Sequence, residues 1–323
     1  MSSEQIRIGS RGSELALWQA HWVKQRLEHA HPSLNVTITM IRTKGDKVLD
    51  APLAKIGDKG LFTREIENAL LRKEIDIAVH SLKDLPTELP NGLVLGAVTE
   101  REDPRDVFIP HPSNRTRSLL KQPEGATIAT GSLRRKCQLQ SLRPDFRIVD
   151  IRGNLATRLR KLDVADWQGM VLARAGVLRL GWEERVGEIL EPDVLLPAVG
   201  QGALGIEIRE HDPRVNELIA PLAHSATTSA TLSERSLLRR LEGGCQVPIG
   251  TYARVSGSGD SAKLVLDAMV GALDGTSVIR GHTEGALAEA EQLGRKLAEK
   301  LLADGAEAIL DAIRGNKPHA VDS

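Results

Sequence analysis

Hydrophobic and polar positions switch repeatedly between a period of two and a period near 3.6 along this chain. Ile6-Arg-Ile-Gly9 reads as a short strand and Ser10-Arg-Gly-Ser13 as the turn that ends it. Leu15, Trp18, Trp22 and Leu27 then recur at helical spacing, predicting a helix over 14–29 with Ser13 as its cap. Residues 35–41 alternate again and end in the polar stretch Arg42-Thr-Lys-Gly-Asp46. Residues 53–63 interleave Lys55, Gly57, Lys59 and Gly60, and read as an irregular segment or lid. A helix over 64–72 capped by Thr63, a compact strand over 76–80 and a strand over 94–98 follow. Strands alternating with helices predict a mostly parallel sheet.

The pattern restarts after Arg101-Glu-Asp-Pro-Arg-Asp106, a charged, proline-containing stretch that reads as a hinge into a second domain. Strands are expected at 127–130, 146–151 and 169–173. They are followed by helices carrying Arg134, Arg135 and Cys137, then running through Leu162, then holding Gly176 and Leu178. Residues 192–202 look irregular, and 204–208 return to strand, where the chain crosses back into the first domain. Residues 212–241 look helical, with Thr228-Ser-Ala-Thr-Leu-Ser-Glu234 opening the later part. Beyond them, Asp274-Gly275 between apolar runs at 264–273 and 277–282 signals a hairpin, and 286–302 form an Ala/Leu/Glu-rich helix. The expected partition is a discontinuous first α/β lobe of 1–101 with 202–221, a second α/β lobe of 102–201, and a C-terminal α+β domain of 222–323. At 323 residues the chain exceeds what one core usually holds.

Charge narrows the function. Lys and Arg total 43 and so do Asp and Glu, so a general nucleic-acid binder is disfavoured. Aromatic residues make up only 2%, which leaves few stacking platforms for bases. Two cysteines form no disulfide framework and suit a reducing, cytoplasmic setting. The start carries no secretion signature, and no apolar run is long enough to span a membrane. The nine histidines form no metal motif, and no Walker A, dinucleotide or nucleophile-elbow motif occurs.

Within this neutral chain, residues 131–161 hold nine Lys or Arg and only two acidic residues. Arg134, Arg135, Arg152 and Arg158 lie near predicted helix starts, where backbone N–H groups add to an anion field. Solvated surface ion pairs are the alternative. Lys83-Asp84 follows a predicted strand, the end of an α/β sheet at which ligands gather, although an ordinary solvent-facing pair would look the same. Cys245 sits in Leu241-Glu-Gly-Gly-Cys-Gln-Val-Pro-Ile249, read either as an exposed reactive thiol in a loop entering a strand or as a buried cysteine. Two other classes compete with an enzyme: a non-catalytic two-lobed carboxylate-binding protein and an RNA-binding protein.

The motifs Val79-His-Ser-Leu-Lys-Asp84, Gly131-Ser-Leu-Arg-Arg135, Ile151-Arg-Gly-Asn154, Leu196-Pro-Ala-Val-Gly-Gln-Gly202 and Leu241-Glu-Gly-Gly-Cys-Gln-Val-Pro-Ile249, in this order, resemble the porphobilinogen deaminase (hydroxymethylbilane synthase) family over nearly the whole chain. The resemblance implies a transferase of tetrapyrrole (haem) biosynthesis with two periplasmic-binding-protein-like lobes and a small C-terminal domain. It implies a dipyrromethane cofactor in thioether linkage to Cys245. Four porphobilinogens would be added to it with loss of ammonia, and hydroxymethylbilane released by hydrolysis. Asp84 matches the catalytic carboxylate and Lys83 a contact to the cofactor acids. Arg11, Arg134, Arg135, Arg152 and Arg158 match residues that bind acetate and propionate groups, joined by Arg179 where substrate docks. Ser13, Thr130 and Ser132 match hydroxyl donors, and Lys55, Lys59 and Phe62 a segment over the cleft. A cytoplasmic monomer is implied, with product passing to uroporphyrinogen-III synthase. Gly131 departs from the serine common in the family, and Cys137 reads as a structural thiol.

Overall fold

The computed structural model describes residues 4–43, 63–241 and 247–315, except the Asp260 side chain. The first sheet contains β1 (Gln5–Ser10), β2 (Asn35–Met40), β3 (Ile77–Ser81), β4 (Leu93–Val98) and, from much later in the chain, β10 (Leu204–Arg209). Their order is β2-β1-β3-β10-β4, with β10 antiparallel to both neighbours. The second sheet contains β5 (Asp106–Pro110), β6 (Thr127–Ala129), β7 (Arg147–Val149), β8 (Gly169–Ala173) and β9 (Glu188–Leu190), in the order β7-β6-β8-β5-β9. Here β5 is the antiparallel member. The two orders are the same: each sheet carries one reversed strand in its fourth place, at the point where the chain passes between sheets. That exchange makes two lobes of like topology. It also explains why the expected mostly parallel sheets each have one exception.

The helices lie where apolar spacing puts them. α1 (Glu14–Ala30) buries Ala20, Val23 and Leu27 against Ile6 and Ile8 of β1, and the Ser13 hydroxyl caps it by accepting from Ala16 N at 3.4 Å. α2 (Arg64–Leu71) covers the other face of the same sheet through Ile66, Ala69 and Leu70. α3 (Leu133–Leu142), α4 (Leu155–Val164) and α5 (Arg174–Arg179) follow β6, β7 and β8 in turn. In β5, Val107 and Ile109 enter one core of the second lobe and Phe108 the other, so the strand is buried on both faces.

The predicted helix over 212–241 is two helices, α6 (Pro213–Ile219) and α7 (Ser225–Arg240). Between them Pro221 sits in a tight turn, Ala220–Leu222, because proline has no N–H to continue the ladder. β11 (Ile249–Ser256), β12 (Lys263–Gly271) and β13 (Val278–Ala286) form an antiparallel third sheet. Its hairpin pairs Gly271 with Val278 around Asp274-Gly275, where Gly275 takes a φ of 74°. β13 runs to Ala286, so α8 (Ala290–Leu301) starts later than expected, after a turn at Leu287–Glu289. α9 (Glu307–Gly315) was not foreseen. α7 and α8 pack on the third sheet through Leu237, Leu293 and Leu297.

One buried carboxylate joins the third sheet to the lobe crossings. Glu234 of α7 is fully buried and accepts from Arg101 Nη1 at 2.7 Å, Gly200 N at 2.7 Å and Ala253 N at 2.8 Å. Arg101 Nε also donates to Gln201 O at 2.8 Å. Glu234→Gln keeps the shape but halves the acceptor capacity, and should lower stability by about 2 kcal/mol in a urea titration. A loss under about 0.5 kcal/mol would show that this junction does not depend on the charge.

Candidate active site

In both lobes the functional side chains sit just past the carboxyl ends of parallel strands, where the turn into a helix leaves backbone donors pointing outward. β1 leads to Arg11 and Ser13, and β3 leads to a single turn, Leu82–Asp84, that ends on Lys83-Asp84. β6 leads to Thr130, Ser132 and the first turn of α3, with Arg134 and Arg135. β7 leads to Arg152 and, in α4, Arg158, and β8 leads to Arg179 at the end of α5. The lobes present these ends to one another. Asp84 from the first lobe acts electrostatically on Arg158 from the second, and Lys83 feels Arg134, Arg135 and Asp106. The Arg179 guanidinium lies 5.7 Å from the Trp18 ring of the first lobe and donates to Gly202 O at 2.7 Å.

Arg134 and Arg135 do not simply face the cleft. Both are buried on the carboxylate of Asp106, the first residue of β5. Arg134 Nη1 donates to Asp106 Oδ2 at 2.8 Å and to Leu196 O at 2.5 Å; Arg135 Nη2 donates to Asp106 Oδ1 at 2.8 Å. Gln201 Nε2 adds a third donor to Asp106 at 2.8 Å. Burial alone would push the Asp106 carboxyl up, but the two guanidiniums outweigh it and hold it well below the usual carboxylate range. One carboxylate faces two guanidiniums, so positive charge is left over. The Nε groups of both arginines are buried with no hydrogen-bond partner.

Other cations have still less compensation. Among the described residues Lys83 has no hydrogen bond or ion pair; burial lowers its pKa to about 8, with Asp84 pulling it up and Arg135 pushing it further down. Arg158 donates its Nε to Gly153 O at 2.8 Å but faces no carboxylate within ion-pair distance among the described residues. Burial, then Arg135 and Arg152, lower it to about 10, and burial does the same to Arg179. Arg152 is partly neutralised, its Nε donating to Asp150 at 2.9 Å. The Asp84 carboxylate is exposed and carries no hydrogen bond among the described residues, so it is open to a ligand N–H.

The hydroxyls fit a donor role. Ser132 Oγ accepts from Arg135 N at 3.4 Å and Thr130 Oγ1 from Ser132 N at 3.3 Å, so each keeps its own O–H to give. At Gly131 a Cβ would lie 2.7 Å from Ile151 O, which accounts for glycine at this turn. Cys137 is fully buried between α3 and the third sheet beside Leu196 and Met269, and burial pushes its thiol up to about 11, the setting of an inert structural cysteine. Cys245, Lys55, Lys59 and Phe62, with Gly57 and Gly60, lie outside the described residues. Asp106 and Gln201 were not anticipated. The available signal was an acid at the head of the apolar run Val107-Phe-Ile, since a charge there needs a buried partner.

Undercompensated arginines that two lobes bring together, with the exposed Asp84 acting on Lys83 and Arg158, are the setting in which sequence relatives decide the matter. Residues 6–217 match the family model described as "Porphobilinogen deaminase, dipyromethane cofactor binding domain", and residues 228–303 match "Porphobilinogen deaminase, C-terminal domain". The chain belongs to the porphobilinogen deaminase family. The porphobilinogen deaminase of Carboxydothermus hydrogenoformans is 52% identical over 311 residues, covering 96% of this chain and 98% of the relative. That of Gloeobacter violaceus is 53% identical over 312 residues, covering 96% and 94%. Among solved structures, the methionine binding protein MetQ is 15% identical over 68% of this chain and 89% of its own, at a TM-score of 0.41, a likeness too slight to add to the topology above. The first deaminase match takes in every described cleft residue, and the second takes in Cys245. As a porphobilinogen deaminase the chain is a transferase of tetrapyrrole biosynthesis, with porphobilinogen as the substrate that fits the family. No described helix is long and apolar enough to cross a membrane.

Proposed function

We propose that this deaminase carries its dipyrromethane as a thioether on Cys245 and joins four porphobilinogens head to tail, with loss of four ammonia, before hydrolysis releases hydroxymethylbilane. The lobes are then 1–101 with 202–221, and 102–201, while 222–323 carries the cysteine. The observation behind this reading is the charge imbalance around Asp84. Among the described residues none of Lys83, Arg158 and Arg179 forms an ion pair with a carboxylate, and partial burial lowers the pKa of each. A ligand with several carboxylates relieves that cost, and each acid group delivered near Lys83 also raises its pKa again. Pyrroles bearing an acetate and a propionate have this character.

When bound, the dipyrromethane supplies a pyrrole carbon nucleophilic enough to take the incoming unit. The residues of the chain do the rest. Arg11, Arg152, Arg158 and Arg179 hold acid side chains of the substrate. Ser13, Thr130 and Ser132 give hydroxyl bonds to the same class of group, and Lys83, Arg134, Arg135 and Arg158 hold those of the cofactor. Lys55, Lys59 and Phe62 take the lid role that the resemblance to the family implies. Asp84 faces pyrrole N–H groups. As the carbon–nitrogen bond of porphobilinogen breaks and ammonia leaves, its carboxylate stabilises the positive charge left on the ring, and it takes up the proton lost when the new carbon–carbon bond forms.

The test is stoichiometric. Incubated with porphobilinogen, the protein should release one ammonia for each substrate consumed and one linear tetrapyrrole for every four. Saturable binding of porphobilinogen without ammonia release would favour the non-catalytic carboxylate-binding alternative and overturn this assignment.

A further inference from the structure

α7 reaches across from the third sheet to the loop that carries Asp84. Arg235 is buried, and its guanidinium donates to two successive carbonyls, Leu85 O at 3.1 Å from Nη1 and Pro86 O at 2.6 Å from Nη2. One turn on, Arg239 Nη2 donates to the next carbonyl, Thr87 O, at 3.1 Å. These are the three residues that directly follow Asp84. On the upstream side the same loop is held by Leu82 N, which donates to Ala203 O at 3.0 Å. Asp84 itself is exposed, and among the described residues nothing bonds to its carboxylate. Its position is therefore set by backbone anchors on either side. The downstream anchor belongs to the helix whose C-terminal end, at Arg240, leads directly into the Cys245 segment.

We infer that Arg235, with Arg239, is a positioning residue for the reaction: it clamps the chain just past Asp84 and so fixes where that carboxylate stands. The inference rests on the reading of Asp84 as the reacting carboxylate. Three carbonyls in a row received by one helix face is more than packing requires. A buried guanidinium is costly to desolvate, and an apolar side chain would fill the same space without that cost. A rigid planar donor to consecutive carbonyls instead fixes a backbone to within a fraction of an ångström, the tolerance that chemistry at a carboxylate needs.

The experiment is a double-mutant cycle on holoenzyme, with the cofactor adduct checked by intact mass in every variant. Its members are wild type, Arg235→Gln, Asp84→Glu and the double variant. Asp84→Glu keeps a carboxylate and leaves a residual rate to measure. Arg235→Gln should lower kcat at least tenfold with KM within twofold of wild type. The double variant should be no more than about twofold slower than the slower single variant, because both changes remove the same placement. Multiplicative losses, or an Arg235→Gln kcat equal to wild type with only a lower melting temperature, would make Arg235 a structural residue and overturn the inference. If Arg235→Gln does not yield holoenzyme, Arg235→Lys carries the same cycle, with a three- to tenfold loss and the same non-additivity expected. A wild-type rate in Asp84→Glu would instead defeat the reading of Asp84, and this inference with it.

Discussion

Asp84→Asn lowers turnover by about 100-fold or more while the dipyrromethane still assembles, because a positioned carboxylate doing proton transfer is worth that much. The substitution is nearly isosteric and the residue is exposed, so the fold has no reason to change. What changes is the charge. Asp84 tempers the positive field felt by Lys83 and Arg158, beside the buried Asp106 and the Asp150 carboxylate. Asparagine removes that tempering, together with the group that can accept a proton and stabilise a cationic ring. Binding of anionic groups should be kept or tightened, so the loss falls on kcat and not on KM. Steady-state kinetics on variant holoenzyme checks it, and turnover within about threefold of wild type would remove Asp84 from the chemistry.

Asp106→Asn should cost about 3–5 kcal/mol of stability, the usual consequence of leaving buried guanidiniums without their counter-charge. Here Arg134 and Arg135 both depend on the one carboxylate, and Gln201 also donates to it. The loss has a pH signature. The folded-state carboxyl is held below its ordinary value, so its contribution is fully present above the unfolded pKa of about 4 and fades as pH falls toward the folded one. Urea midpoints of the two proteins should therefore be far apart at pH 7 and converge below about pH 4. A constant gap across that range would mean that the buried shape matters and the charge does not.

Much of this was legible in the sequence, and the illegible parts share a cause. The strand–turn–helix units were readable because their signals are local: Ser13 is a cap, and Lys83-Asp84 follows a compact apolar run. So was the arginine excess of 131–161. β5 was not, since Asp106-Val-Phe-Ile-Pro110 is buried on both faces, shows no alternation and abuts a charged stretch that resembles a linker. The partner of Arg134 and Arg135 was invisible for a related reason: it lies on that unseen strand, and pairing across a fold leaves no periodic trace. The same holds for Arg235 and the Asp84 loop, which are joined only in three dimensions. The break at Pro221 has a local signal in the proline itself, masked by the helical pattern on either side.

If chains grow on a cofactor fixed to Cys245, the intact mass of the denatured protein records it. Wild-type protein should carry an adduct equal to two porphobilinogens less two ammonias, absent from Cys245→Ala, and should show further porphobilinogen-sized steps after brief exposure to substrate. Wild-type protein that stays unmodified after incubation with porphobilinogen or preformed hydroxymethylbilane, or an adduct that persists in Cys245→Ala, would contradict it.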